Sequence, residues 1–247
     1  MSSGSAAPLP SRKGSLMEFL EKMVTLFTKY NSFFSQGVAN TIILALFTVL
    51  LGTILGTLLA IMKLGKFAPT RWLANVYIEF IRGTPLMIQV MFLFYGLPMV
   101  GITFPALPFI SNSDRFMAGI CAMSINSGAY VAEIIRSGIQ AVDKGQTEAA
   151  RSLGFKSGQT MRMVVLPQAI KNILPALGNE FVTVIKESSI VSVIGIADLM
   201  YQTNSVISTT YKSLAALAVA AIIYFIMTFF TSRLIAFAER KMANGTR

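Results

Sequence analysis

Two groups of residues in this chain have types and spacings that can do chemistry, and neither is a catalytic set. The first is the block at 148–167, EAARSLGFKSGQTMRMVVLP, where Glu148, Arg151, Lys156 and Arg162 stand between long apolar segments. A short charged helix there can present a docking surface. The second group is scattered through the apolar segments themselves: Glu79, Arg82, Gln89, Asn126, Glu133, Ser188, Ser189 and Asp198. Ionisable and amide groups at membrane depth are costly and face a cavity, a partner or a substrate. The chemistry of nucleophiles and metals lacks its parts. The chain has no histidine and one cysteine, Cys121, so neither a zinc site nor a histidine-based triad can be assembled. No GxxxxGK[ST] occurs, so the chain carries no Walker-type nucleotide site. We expect no catalytic residue, no metal and no cofactor held by this chain.

The elements that position these residues follow from hydropathy. Of 247 residues 54% are hydrophobic and 13% charged, about half the charged share of a soluble domain. Mean hydropathy is +0.64. Several apolar runs reach the roughly 18–20 residues that cross a bilayer, so the chain is an all-α polytopic membrane protein. The net charge of +10 fits basic cytoplasmic loops. It forms no stripe interleaved with aromatics, so no nucleic-acid partner is expected.

Residues 1–15 read as a polar tail with no cleavable signal behind it. From Leu16 to Tyr30, Leu16, Phe19, Leu20, Met23 and Phe27 share one helical face, with Glu18, Glu21, Lys22 and Lys29 largely on another. That is either an interfacial amphipathic helix or an extramembrane helix packed on the protein. Five spans follow. Span 1 covers about 36–62 and contains Gly52 and Gly56, a GxxxG pair that permits close helix approach. Span 2, 74–100, is interrupted by Glu79, Arg82 and Pro85, and Thr84-Pro85 reads as a helix start or kink. Span 3 covers 116–137. Span 4 starts near Pro167 and breaks at Lys186-Glu187-Ser188-Ser189, ahead of a short apolar piece at 190–199. Span 5 covers 214–238.

Alternate loops are basic: 63–71 carries Lys63, Lys66 and Arg71; 136–162 carries Arg136, Lys144, Arg151, Lys156 and Arg162; the tail carries Arg233, Arg240 and Lys241, whereas the 97–114 connection has no Lys or Arg before Arg115 and the 201–213 loop only Lys212. These lie in the cytoplasm by the positive-inside rule. Five spans then place the N-terminus outside and the C-terminus inside, although Arg12, Lys13, Lys22 and Lys29 pull against the first half of that assignment.

Glu79 is suited to a substrate ammonium or guanidinium, and equally to pairing with Arg82 or to an interfacial position. Arg82 is suited to a structural pairing with Glu79 or Glu133. Gln89 makes either an interhelix hydrogen bond or a substrate contact, and Asn126 and Ser127 are read mainly as packing. About 19 residues of helix from Pro167 place the break at 186–189 inside the bilayer or near its outer edge. Broken helices mark gates and substrate paths in transporters, which singles out Ser188 and Ser189, with Asp198 as a further acid near the outer mouth.

The spacing within 148–167 is sharper than its composition. Glu148-Ala149-Ala150, then Gly154 after three residues, then Val164 and Leu166-Pro167 after nine more, resembles the EAA loop of ABC importer permeases, with Val164 where that family usually has Ile. Ile81-Arg82-Gly83-Thr84-Pro85-Leu86, the run Gly128–Arg136, Lys144-Gly145-Gln146 and Lys186-Glu187-Ser188-Ser189-Ile190 are similar to the polar-amino-acid branch, of histidine, arginine and glutamine type. The resemblance covers about 37–240. It implies a type I importer fold with a permease domain at 36–240, a coupling loop at 138–167, an N-terminal region at 1–35 outside the resemblance, and a cytoplasmic tail at 241–247. It implies that Glu148, Ala149, Ala150, Arg151, Leu153 and Gly154 form a coupling helix against an ABC ATPase subunit, which holds ATP and Mg. The further implied partners are a second permease copy or paralogue and an extracytoplasmic amino-acid-binding protein. The implied substrate is a polar amino acid. Arg82, Pro85, Glu133, Arg136 and Pro167 are assigned structural roles. An ion-coupled secondary transporter is the nearest alternative, but no repeated halves of the kind such carriers show are evident. A membrane-embedded enzyme would need a catalytic pair or metal cluster within the spans.

Overall fold

In lipid every backbone polar group must find a partner within the protein, which leaves helices as the way to span from apolar segments of this length. A computed structural model describes residues 12–105 and 113–244, and every regular element among them is helical. The elements are α1 (Arg12–Lys29), α2 (Asn31–Leu64), α3 (Ala68–Gly83), α4 (Leu86–Met91), a π-type turn (Phe92–Gly96) and α5 (Leu97–Met99). They continue with α6 (Ser113–Gln140), α7 (Lys144–Ser152), α8 (Ser157–Thr160), a second π-type turn (Met161–Val165) and α9 (Leu166–Glu187). A 3₁₀ stretch (Ser188–Ile194), α10 (Leu199–Thr210) and α11 (Ser213–Asn244) complete the chain. The polar tail at 1–11, the middle of the 97–114 connection and the last three residues lie outside the described residues.

Among the described residues three helices are long and apolar enough to cross a membrane: α2, α6 and α11. The pair α3 and α4–α5 passes the same test together but bends by 106° at its break. The interrupted second span is therefore a sharp corner. Thr84 is extended (φ −117, ψ 145), as the residue before a proline tends to be, and this ends α3 one residue short of Pro85. α9 has 22 residues, about 33 Å of helix, but is too polar to count as a span by composition.

The bundle centres on α2 and α6. A Cβ on Gly56 would lie 2.6 Å from Val131 Cβ, and one on Gly52 would lie 3.0 Å from Ser127, so the GxxxG pair is where the two backbones meet. Around this contact Leu44, Ala45, Val90, Ala122, Met123, Val184, Ile185 and Val191 form a buried core drawn from α2, α4, α6, α9 and the 3₁₀ stretch. Outside it, α2 and α11 expose continuous apolar surface, such as Leu50, Ile54, Leu58, Phe225, Phe230 and Leu234. On a soluble protein such patches would be anomalous; against acyl chains they are required.

Contacts fix which ends share a side. Lys63, at the end of α2, pairs with Glu133 near the end of α6, so both helices finish on the side where α7 begins. Phe34, at the start of α2, packs with Ala215 and Ala216 at the start of α11, so α11 also ends on the α7 side. α1 lies on the opposite side: Leu26, with Phe19 and Met23, packs against this cluster. Leu16, Met17, Leu20, Val24 and Phe27 remain exposed. One apolar strip of α1 therefore lies on the protein and a second is left open. Lys22 bridges to Glu18 at 2.5 Å on the polar face and holds that carboxyl below its ordinary range.

The stretch 201–213, expected as a loop, is mostly α10. Its polar sequence hides the helix, which depends on tertiary partners: Asn40 Nδ2 donates to Ala197 O at 2.8 Å, Leu199 N–H donates to Thr41 Oγ1 at 3.1 Å, and Gln202 Nε2 donates to Gln36 Oε1 at 3.2 Å.

Candidate functional site

The loop that carries Glu148 is a built structure. Asp143 caps α7, its carboxylate accepting from Gly145 N–H at 2.6 Å, as N-cap acids do. The acid at the helix start is thus Asp143, and Glu148 is the fifth residue of α7. At the other end Gly154 N–H donates to Arg151 O at 3.0 Å and Phe155 N–H donates to Ala150 O at 3.2 Å. This is a Schellman closure, which needs a left-handed residue. Gly154 supplies it with φ +85, a conformation that costs a Cβ-bearing residue about 1 kcal/mol or more. Ala150 is buried against the body, while Glu148, Ala149, Arg151 and Leu153 face outward, Leu153 at 80% exposure. Arg151 Nη1 donates to Phe155 O (3.2 Å) and Ser157 Oγ (3.1 Å), tying the helix to the turn that follows. Pro167 sits in the first turn of α9. The result is a short helix with an apolar tip and charged flanks, held by both ends.

An ion cluster near the end of α6, before this loop, ties α2 to α6. Glu133 pairs with Lys63 of α2 and with Arg136 at 2.8 Å, and Arg136 Nη1 donates to Gln140 Oε1 at 2.5 Å in the last turn of α6. Arg82 takes no part in it. Its guanidinium lies 5.3 Å from the centre of the Tyr130 ring, a cation–π contact where an ion pair with Glu79 or Glu133 was expected.

Gln89 and Asn126 are brought together. The corner at Pro85 leaves carbonyls at the end of α3 without helical partners, and the Gln89 amide takes them up: Nε2 donates to Ile81 O (2.7 Å), Thr84 O (3.1 Å) and Thr84 Oγ1 (2.8 Å). Asn126 Nδ2 donates to Gln89 Oε1 at 2.9 Å, joining the corner to α6. Both residues are buried.

Ser188 is fully buried and donates to Ile185 O at 2.8 Å; Ser189 donates to Lys186 O at 2.9 Å. Each hydroxyl is spent on the carbonyl three residues back, where α9 tightens into 3₁₀ geometry. Asp198 is buried too, capping α10 through Met200 N–H (3.1 Å) and Tyr201 N–H (2.9 Å) and accepting from Tyr224 OH at 3.3 Å. Glu79 is exposed on α3, off the buried stripe of Ala74, Ile78 and Ile81.

The residue that sequence reading passed over is Glu180. It lies in α9, half-buried, and accepts a hydrogen bond from Ser127 Oγ at 2.8 Å. Ser127 stands near the midpoint of α6, so a carboxylate sits at mid-membrane depth. The ion pairs among the described residues join Glu18 to Lys22 and Glu133 to Lys63 and Arg136; none reaches Glu180. A carboxylate inside span 4, six residues before its break, is itself the sequence signal for such a residue.

Comparison with known proteins gives this geometry a context. A family model described as "Binding-protein-dependent transport system inner membrane component" matches residues 49–244. The arginine transport system permease protein of Bacillus subtilis is 41% identical over 213 residues, covering 86% of this chain and 94% of the relative. A putative glutamine transport system permease protein of Rickettsia conorii is 41% identical over 211 residues, covering 85% and 93%. A crystal structure of an amino acid ABC transporter with histidines superposes with a TM-score of 0.80 at 47% identity, covering 87% of this chain and 96% of that one. An inward-facing methionine ABC transporter is similar in fold, with a TM-score of 0.61 at 20% identity.

Proposed function

This chain belongs to the family of binding-protein-dependent transport system inner membrane components, and we propose that it is the membrane-spanning subunit of an ATP-driven importer of polar amino acids. The observation that carries the reading is α7: a capped, exposed helix with Leu153 at its tip, pinned between α6 and α9. Glu148 and Leu153 dock in a cleft of a separate ATPase subunit, which holds ATP and Mg; Ala149, Ala150, Arg151 and Gly154 set the shape of the docking helix. Closure of two ATPases pushes α7, and the Lys63–Glu133–Arg136 cluster passes that push to α2 and α6. Similarity to ABC permeases over most of the chain favours this over ion-coupled transport.

Five spans are assigned to α2, the α3–α5 corner, α6, α9 with its 3₁₀ extension, and α11. The α7 side is cytoplasmic, with the C-terminus, and α1 with the N-terminal segment lies outside. A second copy or a paralogue completes the pathway, and an extracytoplasmic binding protein delivers the substrate. Every amino acid carries an α-ammonium group, and Glu180 at mid-depth is its recognition point on the pathway; Glu79, open on α3, is a second acid facing the path. Gln89, Asn126, Ser188, Ser189 and Asp198 hold the walls in shape, together with Arg82 and Pro85.

The test is Glu148→Arg in the complex with its ATPase. The variant is expected in the membrane at wild-type level with substrate-stimulated ATP hydrolysis abolished. Unchanged stimulation would reject the docking role.

A further inference from the structure

A cavity of about 700 Å³ lies between the last turn of α6, α7, and the α8 turn that leads to α9. Its lining combines two cations, Lys144 and Arg151, with three hydroxyls, Thr147, Ser157 and Thr160, over an apolar floor that includes Val165. Lys144, Thr147 and Arg151 fall on one face of α7, at the i, i+3 and i+7 positions that meet on a helix.

Thr160 is the feature that the loop's own architecture leaves unexplained. It is 2% exposed, and its hydroxyl has no hydrogen-bond partner among the described residues. A buried donor left unsatisfied is destabilising, and a helical threonine has a second accessible rotamer for its hydroxyl. Arg151 also has donors to spare. Among the described residues its Nη1 alone is engaged, with Phe155 O and Ser157 Oγ, and a guanidinium carries five N–H groups. The neighbouring acids do not line the cavity: Asp143 accepts from Gly145 N–H at the start of α7, and Glu148 faces outward.

We propose that this cavity binds a phosphate group, held by Lys144 and Arg151 with hydroxyl donors from Thr160 and Ser157. The phosphate comes from one of two sources, a soluble phosphate or the headgroup of an anionic lipid. The cavity backs onto the helix placed to meet the motor, so its occupancy would stiffen α7 and tie transport to the anion. The inference concerns this loop alone and stands apart from the identity of the transported solute.

The full-length chain is tested by thermal unfolding in detergent with inorganic phosphate, against chloride at matched ionic strength. It is tested again in nanodiscs of phosphatidylglycerol against phosphatidylcholine. Thr160→Val and Lys144→Gln are the variants. Expected is a saturable rise in Tm for the wild type that both variants lose, while the Tm of Thr160→Val without ligand does not fall, because its hydroxyl has no partner to give up. A rise with inorganic phosphate identifies the soluble source, and a rise only in phosphatidylglycerol identifies the lipid. Equal rises in wild type and variants mean a general salt effect and overturn the proposal, as does no rise with either probe. Loss of ATPase co-purification in Lys144→Gln without any anion effect overturns it in favour of an acidic side chain of the ATPase in the cavity.

Discussion

Among single residues, Glu180 and Gln89 show how polar groups in a membrane divide their work. Gln89 spends its N–H donors on Ile81 O and Thr84, and its carbonyl accepts from Asn126, so its amide is committed to the corner of the chain. Glu180 holds one bond, to Ser127, and a carboxylate has room for several more. Glu180→Gln keeps the shape and removes the charge. If Glu180 receives the substrate ammonium, uptake by the assembled transporter falls about tenfold or more, the loss expected for a charge-assisted contact worth at least about 1.4 kcal/mol, with membrane levels unchanged. Uptake at the wild-type rate would return Glu180 to a structural role.

Among elements, α2 and α6 are the pair whose fit the rest depends on. Gly56→Leu puts a side chain where a Cβ already meets Val131 at 2.6 Å. Overpacking of this kind costs about 1–3 kcal/mol, so the Tm of the purified chain should drop by several degrees; an unchanged Tm would mean the helices separate freely at this point. The same pair shows what could be read ahead of the structure. α2, α6 and α11 were legible because lipid demands long uniform apolar runs, and α7 because its caps are local. The 106° corner was only half legible: Pro85 announced a break but not its direction, which depends on Gln89 and Asn126 meeting across two helices. α10 was not legible, because Leu199–Thr210 has a polar sequence whose helix is completed by residues more than 150 positions away in α2. The roles expected of Ser188 and Asp198 were open for the same reason: burial, which the sequence does not display, decides whether a hydroxyl or carboxylate meets solvent or backbone.

Across the whole molecule, the two faces of the bundle are chemically distinct. One carries Lys63, Lys66 and Arg71 from the end of α2 to the start of α3, with Lys144, Arg151, Lys156 and Arg162 in and after α7; the other carries α1, which precedes the part of the chain that the family model matches. The proposed function needs a motor on the basic face and delivery from the other, and the sequence carries no Walker-type motif of its own. The account therefore stands or falls on energy coupling across this bundle. The direct measurement is uptake of labelled arginine and glutamine into liposomes holding the chain with its ATPase and binding protein. Uptake of at least one amino acid that requires ATP hydrolysis and disappears with Glu148→Arg is the predicted result. Uptake by the chain alone, driven by a proton or sodium gradient and indifferent to ATP, would contradict it.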